Sequence, residues 1–161
     1  MTQTNDSPGL QILSLWTRLH RKPLGSWIFS RFAGRLVPYT GSIRSRVQVL
    51  RPGYAQVLMK DRRAVRNHLG SIHAVALVNL GEFTSGLAFV TSLPSDLRGI
   101  VTELKATYIK KARGPLTARS SFDPSDLAPD TEQMTQAEIT DSDDVVVARI
   151  AARWNVRRAR D

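Results

Sequence analysis

Apolar positions along this chain change their spacing several times, and each change marks an element. Ile12, Leu15, Trp16 and Leu19 recur at helical intervals within 10–20, which predicts an amphipathic helix. Pro23 interrupts it, and Trp27, Ile28, Phe32 and Leu36 set out a second helix. Tyr39-Thr40-Gly41 then reads as a turn. Alternation takes over next, with Ile43, Val47 and Val49 on one side and Arg44, Arg46 and Gln48 on the other, the period of a strand. Arg51-Pro52-Gly53 predicts a hairpin turn into a second strand over 54–60, and 61–70 reads as a polar loop.

The next segment, 72–92, breaks with both periods. It is almost wholly apolar, with His73, Asn79 and Glu82 as its large polar side chains. A run of that length raises the question of a membrane span, but a carboxylate near its middle would be costly there. A helix apolar on all sides is otherwise one buried in a core. Four strands follow, over 100–111, 116–121, 131–140 and 145–154, joined by Gly114-Pro115, a proline-containing loop over 122–130 and an acidic turn over 141–144. Strands joined by tight turns form an antiparallel sheet, and a curved sheet wrapped around the long helix would cover that helix. The expected organisation is α+β: a disordered start over 1–9, a single domain over 10–154 with its N-terminal helices in 10–37, and a basic tail over 155–161.

Composition narrows the chemistry. The 161 residues suit one domain with a real core, and 42% hydrophobic with 23% charged residues describes a soluble globular chain. The absence of cysteine removes disulfides, thiolate nucleophiles and Cys-bound zinc. The three histidines, His20, His68 and His73, lack a ligand spacing, so no metal is expected. The start of the chain lacks the order of a signal peptide, which points to the cytoplasm.

The net charge of +9 is unevenly placed. Between Ser7 and Lys60 there are nine Lys or Arg and no acid, whereas between Ser120 and Ala148 there are eight acids and no Lys or Arg. Such a split creates a strong surface field. It suits a solvated face, phosphate-bearing ligands, an anionic membrane or nucleic acid. Nucleic acid is disfavoured, because no zinc finger, aromatic ribonucleoprotein motif or helix-turn-helix is present. Trp16, Trp27, Phe29 and Phe32 lie among Arg18, Arg21, Lys22, Arg31 and Arg35. Packing over the core or a ligand pocket is the simpler expectation for that segment, with peripheral membrane contact as the alternative.

The polar residues of the long helix carry the chemistry. His73 and Glu82 are nine positions apart, which puts them on opposite faces and about 13 Å apart along the axis. One helix cannot bring them together, but two helices packed antiparallel across a two-fold axis can, giving two composite sites per dimer. A carboxylate facing the free N–H groups of a partner's helix start suits attack on an acyl carbonyl. A structural hydrogen-bond acceptor at a dimer interface is the other reading of Glu82.

The run Asn67-His68-Leu69-Gly70-Ser71-Ile72-His73, followed by Glu82, resembles the Asn-x-x-Gly-x-x-His pattern of hotdog-fold acyl-CoA thioesterases of the phenylacetyl-CoA thioesterase type. The wider chain, through Pro38-Tyr39-Thr40-Gly41, Arg51-Pro52-Gly53-Tyr54 and the stretch from Tyr108 to Gly114, resembles an uncharacterised bacterial branch of that superfamily. The resemblance implies a hotdog fold, a homodimer or dimer of dimers, and hydrolysis of an acyl-CoA or related acyl thioester. It implies no cofactor beyond the coenzyme A of the substrate. Residue by residue, it makes Glu82 the nucleophile or general base, and has Asn67 of the second subunit position water or the thioester. The Ala74 N–H would polarise the carbonyl, with His73 shaping the helix start. Gly70 completes the motif. Lys110, Lys111, Arg113 and Arg66, with Lys105, Arg62 and Arg63 nearby, could receive the phosphates of coenzyme A. Two departures stand out: His73 is followed by Ala74-Val75 rather than two glycines, and the carboxylate is Glu rather than Asp. A non-catalytic hotdog protein that binds a fatty-acyl ligand, or serves as an interaction module, is the alternative.

Overall fold

A computed structural model describes residues 7–159; most of the expected disordered start, 1–6, lies outside the described residues, as do 160–161. Ser7 already belongs to the fold. Its Oγ accepts from the Leu10 N–H and caps helix α1 (Pro8–Leu19), with proline at the position where a missing N–H costs nothing. Helix α2 (Gly25–Leu36) follows. The expected turn at Tyr39-Thr40-Gly41 is instead a short helix, α3 (Pro38–Ser42), which Pro38 starts. Strand β1 (Arg46–Arg51) begins later than the alternation suggests, because Arg44 takes a left-handed backbone (φ 49) that no strand can include.

Strands β1 and β2 (Tyr54–Met59) form the expected hairpin. Helix α4 (Ala74–Val90) comes next, then β3 (Leu97–Tyr108), β4 (Leu116–Ser121), β5 (Glu132–Thr140) and β6 (Val146–Arg158). All neighbours run antiparallel, in the order β1-β2-β4-β5-β6-β3, as one curved open sheet. The basic tail expected from residue 155 is not a tail up to Arg158: Leu97 pairs with Arg158 and Ile100 with Asn155, so ladder hydrogen bonds order it.

Helix α4 lies against the concave face, and its ends are set by bonds rather than by apolarity. Ile72 donates to the Ala112 carbonyl at 2.8 Å and is drawn into extended backbone, so the helix opens two residues after the expected start. At the other end the Thr91 hydroxyl donates to the Leu87 carbonyl at 2.7 Å and closes the last turn. Leu77, Leu80, Thr84 and Ala88 are buried against the sheet. Phe89 stacks on Trp154 (centroids 4.7 Å apart) and meets Phe122 edge-on at 5.0 Å. Burying a side chain of that size contributes about 1.5–3 kcal/mol. Trp154 donates its indole N–H to the Thr135 hydroxyl, 2.8 Å away, so the packing around Phe89 and Trp154 buries no open donor at the indole.

The N-terminal layer departs from expectation. Trp16 and Phe29 pack as anticipated, ring edge to face at 5.1 Å, but Trp27, Ile28 and Phe32 stand exposed on the outer side of α2. Helical periodicity defines an apolar face without saying which side meets the core. The core contact of α2 is made instead by Gly25, Phe29 and two serines: Ser26 Oγ donates to the Val47 carbonyl, and Ser30 Oγ accepts from the Val47 N–H.

Candidate active site

The two halves of the anticipated site lie at different places on α4. At its start, the loop 66–73 is built around Asn67. The Asn67 Oδ1 accepts from the Leu69 N–H (2.9 Å), the Ser71 N–H (3.2 Å) and the Ser71 hydroxyl (3.3 Å), and this turn leaves Gly70 exposed in a left-handed conformation (φ 70). The oxygen of Asn67 is therefore committed to its own loop, and its Nδ2 has no acceptor among the described residues. His73 is the N-cap: its Nδ1 accepts from the Val75 N–H at 3.1 Å. That bond satisfies one of the open donors of the helix start. The Ala74 N–H has no acceptor among the described residues.

The 110–113 segment runs beside this helix start, because Ile72 donates to the Ala112 carbonyl and the Gly114 N–H donates to Asp61 at 2.9 Å. So the fold gathers Asn67, Gly70, His73, Ala74, Lys111 and Arg113 at one end of α4. Two of the anticipated phosphate contacts are already engaged. Arg66 pairs with Asp61 at 2.6 Å, and Lys110 with Asp141 at 3.0 Å. The Arg66 hydrogen bond holds the Asp61 carboxyl below the usual carboxylate range. Arg62 donates to the Ile43 carbonyl at 2.7 Å, and burial, with Arg44 nearby, lowers its pKa. Lys105, Lys111, Arg63 and Arg113 have no ion-pair partner among the described residues.

Glu82 sits about 12 Å further along the axis, eight residues past Ala74 at 1.5 Å each. It is half-buried, and its carboxylate makes no hydrogen bond or ion pair among the described residues. Desolvation pushes its pKa above the ordinary value. The carboxylate lies over Gly86, one turn on. A Cβ there would come 3.9 Å from Glu82 Oε1 and 3.4 Å from the Trp154 ring. With half-exposed Val78, Gly86 and Val90, Glu82 forms the stripe of α4 that the sheet leaves uncovered. One chain thus does not bring Glu82 to Asn67 or Ala74.

Two features had no place in the sequence reading of the site. Asn79 is buried at one helical turn from Glu82 and donates Nδ2 to the Tyr39 carbonyl at 3.1 Å, while its Oδ1 has no partner among the described residues. Tyr108, at the end of β3, reaches the Ala74 carbonyl with its hydroxyl at 3.3 Å. Asn79 was visible as a polar interruption of the apolar helix; the Tyr108 contact spans 34 positions and leaves no local signal. Among the described residues, no group of three or more His, Asp or Glu is placed to hold a metal ion, and no helix is long and apolar enough to cross a membrane.

A six-stranded antiparallel sheet curved around one long helix defines the hotdog, thioesterase-like class. Within it, the chain belongs to the family described as "Domain of unknown function (DUF4442)", which matches residues 25–156. A crystal structure described only as "genomics APC5556" is 30% identical, with 92% of this chain and 97% of that chain covered and a TM-score of 0.80. A protein of unknown function from Pseudomonas aeruginosa, described as "Probable Thioesterase", is 26% identical over 81% of this chain and 93% of that one, with a TM-score of 0.72. A thioesterase from Haemophilus influenzae shares the fold at 16% identity and a TM-score of 0.67, over 78% of this chain and 88% of its own. No curated protein matches the chain.

Proposed function

We propose that this chain hydrolyses an acyl-CoA or related acyl thioester in a site completed by a second copy of itself. The observation that carries the reading is Glu82: a half-buried carboxyl with no partner among the described residues and a raised pKa, on the stripe of α4 that its own sheet leaves open. Burial disfavours the charged form of such a group, so once ionised it takes up a proton more readily than an ordinary carboxylate. Strand β3 supports the second copy. It is a 12-residue edge strand. Its Leu104 and Tyr108 pair with Ala152 and Ala148, on the face that covers α4, and stay exposed. A long apolar edge invites pairing, and two such edges joined across a two-fold axis would continue the sheet and bring each Glu82 toward the other chain's helix start.

In that arrangement Glu82 takes a proton from water as the water oxygen attacks the thioester carbonyl carbon. The Ala74 N–H of the second chain bonds the developing oxyanion, and the Asn67 Nδ2 holds the water or the thioester. Collapse of the tetrahedral species breaks the carbon–sulfur bond, and the Glu82 proton passes to the leaving thiolate. The products are a carboxylic acid and the free thiol. Direct attack by the carboxylate, through an anhydride that water then opens, uses the same groups. Lys111 and Arg113, unpaired beside the helix start, suit the phosphates of coenzyme A.

The non-catalytic reading has one observation in its favour: Asn67 spends its oxygen on its own loop, as a structural residue would. A panel of acyl-CoA thioesters separates the two. Turnover that falls by about 10²–10⁴ in Glu82→Gln, with unchanged folding, supports hydrolysis. Retained acyl ligand in native mass spectrometry without turnover supports binding alone.

A further inference from the structure

The N-terminal layer carries charge that the fold leaves uncompensated. Arg66, Lys110, Arg119, Arg149, Arg153 and Arg157 each meet a carboxylate. Arg31, Arg35, Arg44 and Arg46 have no ion-pair partner among the described residues, as expected where 7–60 contains no acid. These four arginines line a single cleft of about 300 Å³ between α2, the α3–β1 connection and α4, together with Trp27 and Phe83. Arg31 and Arg35 are one helical turn apart, a like-charge pair that weakens the helix unless an anion lies between them. The cleft is held in shape: Arg46 Nε donates to Ser26 Oγ at 3.1 Å, and Ser26 and Ser30 both bond Val47 of β1.

The same helix turns an apolar flank to solvent. Trp27 is 53% exposed, Ile28 44%, Phe32 47% and Leu36 66%. Ile28, Phe32 and Leu36 recur every fourth residue along one flank of α2, between buried Phe29 and the stripe of Arg31 and Arg35, and Trp27 lies beside Arg31. An exposed apolar stripe beside an arginine stripe on one helix suits a contact that uses both.

We infer that this face docks on an anionic phospholipid bilayer, with a lipid phosphate in the arginine cleft and the apolar flank of α2 in the interfacial zone. Charge and apolarity are both used by that occupant. A second copy joined through this face by a two-fold axis would set the four unpaired arginines against the same four. A soluble phosphate ester would neutralise the cleft but leave the apolar flank in water. The inference stands apart from the thioester chemistry and does not depend on it.

The test uses the full chain with vesicles of phosphatidylcholine alone and with phosphatidylglycerol added, read by sedimentation and tryptophan emission. Trp16 and Trp154 are only 5% and 8% exposed, so a blue shift on binding reports Trp27. The expected result is sedimentation with the anionic vesicles only, with a blue shift that disappears in Trp27→Phe. Arg31→Gln with Arg35→Gln is expected to lower partitioning about 30-fold, from about a factor of five for each arginine. Ile28→Ser with Phe32→Ser is expected to lower it as well, with thermal stability unchanged because neither side chain is in the core. Failure to sediment with anionic vesicles overturns the inference. In that event, binding of inorganic pyrophosphate marks a soluble ester site, and a dimer lost in Ile28→Ser with Phe32→Ser marks a second copy. Partitioning that survives both double variants overturns it too.

Discussion

Two glycines of α4 make one substitution come out with opposite signs. Replacing a helix-interior glycine by alanine favours the helix by about 1 kcal/mol, so propensity alone would make Gly81→Ala and Gly86→Ala equally stabilising. Their surroundings differ. A Cβ on Gly81 would lie 2.3 Å from Ile150 Cγ1 and 2.5 Å from its Cβ, far inside the normal contact distance of about 3.5–4.0 Å. Ile150 is fully buried on β6, with β3 on one side and β5 on the other, and a Cβ atom cannot rotate away. The overpacking cost therefore falls near the upper end of the usual range, about 3 kcal/mol. A Cβ on Gly86 would stand 3.4 Å from Trp154, an ordinary contact. Gly86→Ala is expected to stabilise by about 1 kcal/mol and Gly81→Ala to destabilise by about 2 kcal/mol. That gap corresponds to a difference in Tm of about 6–12 °C for a chain of this size. Circular dichroism melts of the two variants measure it directly. Equal melting temperatures would refute the close seating of α4 on β6 at this point.

Three further outcomes follow from the same geometry. Thr135→Val leaves the buried Trp154 N–H without its acceptor and is expected to cost about 1–3 kcal/mol, with Thr135→Ser restoring most of it; chemical denaturation of both variants checks this. Burial raises the Glu82 pKa, so the folded chain holds an extra proton between the ordinary carboxylate pKa and the raised one, and stability falls as pH rises through that window. Glu82→Gln should then be more stable than the parent well above neutrality, with the advantage gone near pH ~4, as melts across pH would show. If ionised Glu82 is the base, the acidic limb of kcat/KM should lie above the ordinary carboxylate range, and Gly86→Ala, by crowding water from the carboxylate, should move it higher still.

Much of this architecture is legible in the chain because the signals are local. The Pro52-Gly53 turn and the Gly114-Pro115 break each act over a few residues, and the hairpin and the start of β4 follow them closely. By contrast, a bulge after Val47 turns Val49 outward and Leu50 inward, and β3 ends at Tyr108 and pairs with β6 rather than β4. The length and apolarity of the central segment point to a covered helix, and the sheet covers α4 except along the stripe that carries Val78, Glu82, Gly86 and Val90. The misreadings lie where distant groups decide. Ile72 leaves the helix for a carbonyl 40 positions away, and 155–158 are ordered by pairing with β3. At the site, Glu82 stands out in sequence as a carboxylate inside apolar surroundings. The engagement of Arg66 by Asp61 and of Lys110 by Asp141, and the commitment of the Asn67 oxygen to its own loop, depend on side-chain geometry that spacing does not encode.

The central claim is that each site takes Glu82 from one chain and Asn67 with Ala74 from another. Subunit complementation tests it most directly. Glu82→Gln and Asn67→Ala are each prepared as folded, inactive protein, then mixed, unfolded and refolded together, and assayed for acyl-CoA hydrolysis. Random reassembly makes half of the dimers mixed, and each mixed dimer holds one site with both native side chains. The account predicts recovery of about one quarter of the parent activity. Activity in the mixture no greater than in either variant alone would contradict it.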